Sequence, residues 1–334
     1  MDFRLELTPR SFAEKMNHRQ PLFLTGSCFT ENIGSKFKQH KFSVLENPNG
    51  ILFNPVSIAK SVCSYIQNRQ YTASDLFYQN ESWHSWEHHS RFSHPQQQAC
   101  LQLINKSQQA AHHFLQNAGW LIVTLGSAFV YELKEQQAPL QLQQQYQQVV
   151  ANCHKVPTDK FSKKLLHPAQ VQQVLEHMLA ELKSFNPGIR VIFTISPVRH
   201  LREGFIENNR SKAVLMQAVH QLVDLNDYLY YFPAYELVID DLRDYRFYAE
   251  DMVHPNYAAT QYVWEKLQQA LIDEPTLQLM KQINSINAAI HHKPFNPASA
   301  AHQQFLQVHY QKLQLLQQQM PYIDFSAEAA LLQA

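Results

Sequence analysis

Short apolar runs that end in turn residues, each followed by a longer stretch with helical periodicity, recur through the first 270 residues. That alternation predicts parallel βαβ units. The predicted strands are Leu22 to Thr25, Phe42 to Leu45, Trp120 to Leu125, Val191 to Ile195 and Tyr228 to Phe232. The predicted helices between and after them are Glu31 to Gln39, Val56 to Asn68, Gln96 to Asn117, Pro168 to Ser184, Asn208 to Asn226 and Tyr257 to Leu271. Such a set suits one doubly wound α/β sheet covered by helices on both faces.

Two connections, Tyr71 to Pro95 and Val130 to Leu166, exceed ordinary loop length and read as insertions that line or cover a binding site. The glutamine run Gln141 to Gln148 in the second predicts a solvated helix or a mobile segment. After about Asp273 the strand signals stop. Two helical stretches follow, Thr276 to His292 and Ala298 to Gln319, split by a hinge at Lys293-Pro294-Phe295-Asn296-Pro297. The chain therefore divides into a sheet domain over residues 1–272, with insertions near 71–95 and 130–166, and a helical extension over 273–334. Phe305, Val308, Leu313 and Leu316 recur near helical spacing, so the extension is expected to pack on the main domain or to join two copies of the chain.

With 45% hydrophobic and 17% charged residues in 334, the chain can bury a full core. Its 28 Lys and Arg equal its 28 Asp and Glu, which excludes a strong field toward nucleic acid or anionic lipid and favours a small, nearly neutral partner. Met1 to Gln20 has no apolar signal core, and no later run has the length of a membrane span. The four cysteines are scattered without metal or redox pair spacing, so reduced thiols in a cytoplasmic setting are expected. Neither a phosphate-binding loop nor a dinucleotide glycine fingerprint occurs, and no cofactor is expected.

Chemistry gathers in two places. The first strand runs directly into Thr25-Gly26-Ser27-Cys28-Phe29-Thr30, where a helix opens. A nucleophile there lies at the carboxyl edge of the sheet, near the positive end of the next helix. Ser27 also reads as a plain helix cap. Near the far end stands Asp251-Met252-Val253-His254-Pro255-Asn256. Its three-residue spacing lets an aspartate orient one imidazole nitrogen while the other faces a nucleophile. Pro255 suits a helix start, and the same pair reads alternatively as a capping aspartate beside a surface histidine.

Gly26-Ser27-Cys28-Phe29 resembles the signature of the GSCFA family, and Asp251 to His254 resembles the last motif of the wider SGNH (GDSL-like) hydrolases. Asn47 to Pro55, Thr124-Leu125-Gly126, Asn152 to Lys155, Ser196 to His200 and Arg243 to Tyr248 also look like the family. Thr30 departs from it, standing where the family name has alanine. The resemblance implies a three-layer α/β/α fold with a five-strand, flavodoxin-like parallel sheet, and serine-hydrolase chemistry on ester or acyl groups. Laying Gly26 on the superfamily's Gly-Asp-Ser puts Cys28 at the nucleophile; shifting by one puts Ser27 there and loses the glycine. The implied oxyanion hole takes a glycine after the second strand, matched by Gly50, and an asparagine after the third, where this chain has Gly126-Ser127-Ala128. Asn152 or Asn54 is the expected replacement.

The segment from Trp83 to His94 concentrates imidazoles and aromatics. Its ligand spacing is too loose for a metal site, and an active-site wall is expected, with His89 touching substrate. Arg199 and His200, after the fourth strand, are expected at the same sheet edge and in contact with substrate. Asn208-Asn209-Arg210-Ser211-Lys212 reads as a helix cap with solvated charges. The expected activity is hydrolysis of a small ester, an O-acetylated carbohydrate being what the superfamily suggests, by Ser27 or Cys28 with His254 and Asp251. Transfer to an alcohol by the same groups, or a catalytically silent binding protein, are the alternatives.

Overall fold

The computed structural model describes residues 5–134 and 148–333. Five parallel strands form the central sheet: β1 (Leu22–Gly26), β2 (Val44–Glu46), β5 (Trp120–Leu125), β9 (Arg190–Ile195) and β10 (Leu229–Phe232). They lie in the order β10-β9-β5-β1-β2. This is the flavodoxin-like order, with β1 at the point where the winding reverses. Every residue of β1 and of β5 is buried, as continuous apolar strands in a sheet covered on both faces should be. β2 is a half-buried edge strand, shorter and later than its apolar run suggested, because the chain at Phe42 packs instead against the helix before it.

That helix is α1 (Cys28–Gln39). Its Phe29, Ile33 and Phe37 join Trp264 and Leu267 of a later helix in one core layer. The opposite face carries α2 (Pro55–Ile66), with α3 (Gln97–Asn117) beside it, α4 (Pro168–Phe185) and α5 (Gly204–Asp224). Val56, Val62, Leu175, Leu182, Leu215 and Leu222 fill that layer. After β10, a single turn α6 (Ala234–Glu236) continues into a π-helical stretch over Leu237–Leu242, and α7 (Tyr257–Leu271) closes the unit as expected. The architecture is the three-layer α/β/α sandwich.

Both insertions are more ordered than loops. The first carries a hairpin of β3 (Leu76–Gln79) and β4 (Ser82–Ser85). Asn80 and Glu81 both adopt positive φ at its tip, 50° and 60°, as a tight two-residue turn requires. The second forms an antiparallel sheet in the order β7-β6-β8, from β6 (Phe129–Leu133), β7 (Val149–Val150) and β8 (Phe161–Leu165). All but the last residue of the glutamine run lies outside the described residues.

The C-terminal extension has three helices among the described residues, one more than its periodicity predicted: α8 (Glu274–Ile290), α9 (Ala300–Gln319) and α10 (Ser326–Gln333). They share their own core of Leu279, Ile283, Ile286, Leu313, Leu316 and Phe325. The bundle docks on the sheet unit near the end of α1. Asn287 donates to the Gln39 carbonyl at 3.0 Å, and Lys41 pairs with Glu328 at 2.6 Å. Among the described residues, no helix is long and apolar enough to cross a membrane.

Candidate active site

The turn after β1 is held by backbone contacts that leave no room for a side chain. Gly26 has φ 144°, and a Cβ there would lie 2.3 Å from the Thr124 carbonyl oxygen of neighbouring β5. Its amide donates to Asn47 Oδ1 at 2.8 Å and its carbonyl accepts from Leu52 at 3.0 Å, so three strand ends are tied at this one residue.

Ser27 and Cys28, adjacent in sequence, meet opposite environments. Ser27 stands at the N-cap position of α1, but its side chain makes no cap bond. Its amide continues the ladder to Thr124 at 3.1 Å, and its hydroxyl is buried without a partner. Cys28 is the first helical residue and is half-buried. The amides of Phe29 and of Cys28 itself favour its thiolate. Burial pushes the thiol up from its ordinary range; those amides and the Lys212 ammonium pull it down, and Glu31 pushes it up.

The second group sits on the loop before α7. His254 Nδ1 donates to Asp251 Oδ2 at 2.6 Å, while Asp251 Oδ1 accepts from the amides of Val253 at 2.9 Å and His254 at 3.0 Å. Those bonds hold the carboxyl well down, to about 2, the His254 amide contributing most. Met252 takes the left-handed conformation, φ 57°, that lets three residues curl around one carboxylate. Asn256 caps α7 through Ala259 at 3.1 Å and fixes where the loop ends. Asp251 and His254 are each about half exposed, 50% and 47%. The structure draws no hydrogen bond between Cys28 and His254; catalytic contacts are often loose before substrate binds.

Arg199 braces this loop. Its amide donates to the Val253 carbonyl at 3.2 Å, and its guanidinium stacks over Tyr248 at 3.9 Å. His200, the next residue, is packed against Phe53 with rings 5.1 Å apart. Its amide donates to Asn208 at 2.9 Å, and its Nε2 is buried with no partner. Burial, then the Lys212 and His254 charges, push its imidazole down to about 3, so it is neutral across the working range. A side chain on Gly126 would come within 3.0 Å of that nitrogen, which places His200 over the end of β5.

The expected oxyanion residues are placed otherwise. Gly50 does follow β2, but its amide donates to the Asn47 carbonyl at 2.7 Å to close a turn. Gly50 packs instead against His89, whose Cβ would sit 2.2 Å from any side chain there. Asn54 caps α2 through Ser57 at 2.8 Å. Asn152 accepts from the His154 amide at 2.8 Å, in a segment joined to the first insertion through Ala151 and Trp86. The Gly50 amide is thus used within its turn and the Asn54 amide nitrogen on Ser57, while Asn152 is held through its oxygen.

Most imidazoles of the His-rich insertion likewise serve packing. His84 bonds Ser93 at 2.6 Å and the Gln79 carbonyl at 2.9 Å, and buried His88 bonds Ser85 at 2.9 Å. His89 accepts from the Arg91 amide at 3.2 Å, and Arg91 pairs with Glu31 of α1, bringing the insertion against that helix. No group of three or more metal-binding side chains forms among the described residues.

One expectation is reversed. Asn208, Ser211 and Lys212 are a buried polar patch, 4%, 2% and 1% exposed, rather than a solvated cap. α5 starts at Gly204, so these residues fall on its inward stripe with Leu215 and Leu222. The spacing of 208, 211, 212, 215 and 222 was the available signal, masked by the charge beside it. Lys212 donates to the carbonyls of Gly126 and Ser196, both at 2.7 Å, at the ends of β5 and β9.

Residues 21–267 match the GSCFA family, and residues 283–334 match the GSCFA domain protein, C-terminal domain. No curated protein matches the chain. Among solved structures, the chain is similar to a carbohydrate esterase family 3 from Talaromyces cellulolyticus, at 10% identity and a TM-score of 0.36, over 78% of this chain and 98% of that one. With the family match spanning the whole sheet unit and its signature at the end of β1, this chain belongs to the GSCFA family.

Proposed function

We propose that the protein hydrolyses a small ester through a thioester on Cys28, with His254 as general base and Asp251 orienting it. The observation that carries this reading is the contrast within the turn after β1. Cys28 opens α1 with its thiol only half-buried, while the neighbouring Ser27 hydroxyl is buried. A thiolate is also intrinsically the stronger nucleophile.

His254 Nε2 takes the proton from Cys28, and the sulfur adds to the ester carbonyl. The negative charge that develops on oxygen lies near the positive end of α1. The neutral His200 ring supplies a further donor, in place of the asparagine absent after β5. The tetrahedral species collapses to a thioester as the alcohol leaves with the proton from His254. Water, deprotonated by His254, then adds to the thioester; the acid departs and sulfur regains its proton. Arg199 acts as a positioning residue for the base loop.

The test is hydrolysis of a small activated acetyl ester by the wild type and the variants Cys28→Ala, His254→Ala, His200→Ala and Ser27→Ala. The expected loss is roughly 10³-fold or more for the first two and about 10²-fold for His200→Ala, with Ser27→Ala within a few-fold of wild type. A rate that survives Cys28→Ala and falls with Ser27→Ala would assign the nucleophile to Ser27. A rate indifferent to His254 would remove the acyl-transfer reading.

A further inference from the structure

A buried charge needs a partner, and Lys212 has an unusual set. Its side chain is 1% exposed, and its ammonium donates to two backbone carbonyls, Gly126 and Ser196, each at 2.7 Å. An ammonium has three donors, so one remains without a partner among the described residues. Among the described residues no carboxylate contributes to its charge balance, and the one ionisable group that favours its protonated form is Cys28. Tyr235 lies under the ammonium at 5.8 Å, and His200 beside it is neutral. On the Cys28 side, Glu31 faces the thiol but is paired with Arg91.

A structural staple between β5 and β9 would need only two N–H groups, which a neutral amide could supply. Burying an ammonium for that purpose alone carries a desolvation cost that two carbonyls do not fully offset. The placement makes sense if an anion forms nearby during turnover. β5 is the neighbour of β1, with Thr124 opposite Gly26, so the carbonyl that Lys212 grips lies two residues beyond the ladder that holds the Cys28 turn.

We propose that Lys212 is a positioning residue that supplies the buried counter-charge for the Cys28 thiolate, and so makes sulfur rather than oxygen the nucleophile of this site. The inference rests on the reading of Cys28 as nucleophile. When His254 removes the thiol proton, the negative sulfur meets an amine already fixed in a site with little water and ready to carry the charge, and no side chain has to move to compensate it. Burial holds Lys212 down to about 7, so the cation is poised rather than permanent, and a forming thiolate draws it toward the protonated state.

The test is the rate at which iodoacetamide alkylates Cys28, followed by peptide mass spectrometry across pH 6–10.5, in the wild type, Lys212→Met and Lys212→Gln. Alkylation reports the thiolate and needs no turnover, so its outcome is separate from that of the ester assay. Lys212→Gln keeps donors for the two carbonyls but loses the charge. The expected result is a profile displaced upward by about one pH unit or more in both variants, a tenfold slower reaction at a fixed pH below the midpoint. A Lys212→Gln profile that overlays the wild type would overturn the proposal and leave Lys212 as a staple. So would an unchanged profile accompanied by a fall in kcat, which would assign the ammonium to the substrate's developing oxyanion instead.

Discussion

Gly26–Cys28 and Asp251–His254 are the two arms of the proposed site, and they are held by different physics. The nucleophile turn is part of the sheet: its backbone continues the β1–β5 ladder, and its glycine touches the neighbouring strand too closely for any side chain. The base loop is local: one carboxylate gathers two amides and an imidazole from the next three residues, half exposed to water. The sulfur is therefore fixed by the global fold and the imidazole by bonds within one loop. Changes to the first arm should cost folding, and changes to the second should cost activity with little effect on folding.

Gly26→Ala is the most severe way to break the first arm. The added methyl would meet the Thr124 oxygen at 2.3 Å, and φ 144° is closed to alanine. Neither strand can retreat without opening the ladder, so a loss of about 4 kcal/mol or more is expected, a large share of an ordinary domain's stability. Urea unfolding monitored by circular dichroism measures it. A variant within 1 kcal/mol of wild type would show that the turn is far more pliant than its packing implies.

The same difference explains what could be read from sequence. Buried parallel strands announce themselves, and β1, β5 and β9 are apolar runs with boundaries that shift by at most one residue. The Asp251–His254 loop was legible for the opposite reason, because all of its partners are neighbours in sequence. What stayed hidden depends on contacts between distant segments. β6 and β8 pair across a long insertion and carry Glu132, Lys163 and Lys164, so nothing in Phe161–Leu165 looks like a strand. The Asn80–Glu81 hairpin turn contains no glycine. Lys212 beside Arg210 reads as solvent-facing until the start of α5 is known. Gly50 stands where the resemblance implies an oxyanion glycine, yet its amide is directed by the turn from Asn47, which sequence spacing does not reveal.

Asp251→Asn tests the second arm. The amide oxygen can still accept from Val253 and His254, so the loop should keep its shape, with stability changed by less than about 1 kcal/mol. The amide nitrogen, however, would face Nδ1 as a donor and shift the ring's proton to Nε2, the nitrogen that must accept from sulfur. The expected fall in kcat is roughly 10²–10⁴-fold. Equal losses of activity and stability would mean that the loop, like the turn, is part of the global fold.

The smallest effect is the sharpest on geometry. A carboxyl held to about 2 when folded, against an ordinary value of about 3.9, has a depressed folded pKa, so its bonds contribute to stability above pH 4 and are lost as pH falls through 2. A ¹³C NMR titration of the Asp251 carboxyl should therefore give a midpoint near 2 in the wild type. In His254→Ala the backbone amides of residues 253 and 254 still donate, and the first of the causes holding the carboxyl down is the amide of residue 254. Only the imidazole bond is lost, so the midpoint should rise part of the way and remain below 3.9. No movement would mean that the Nδ1 bond is not made in solution. A rise all the way to the free value would mean that the imidazole holds the loop together, and the base arm would then depend on the one side chain that must move protons during catalysis.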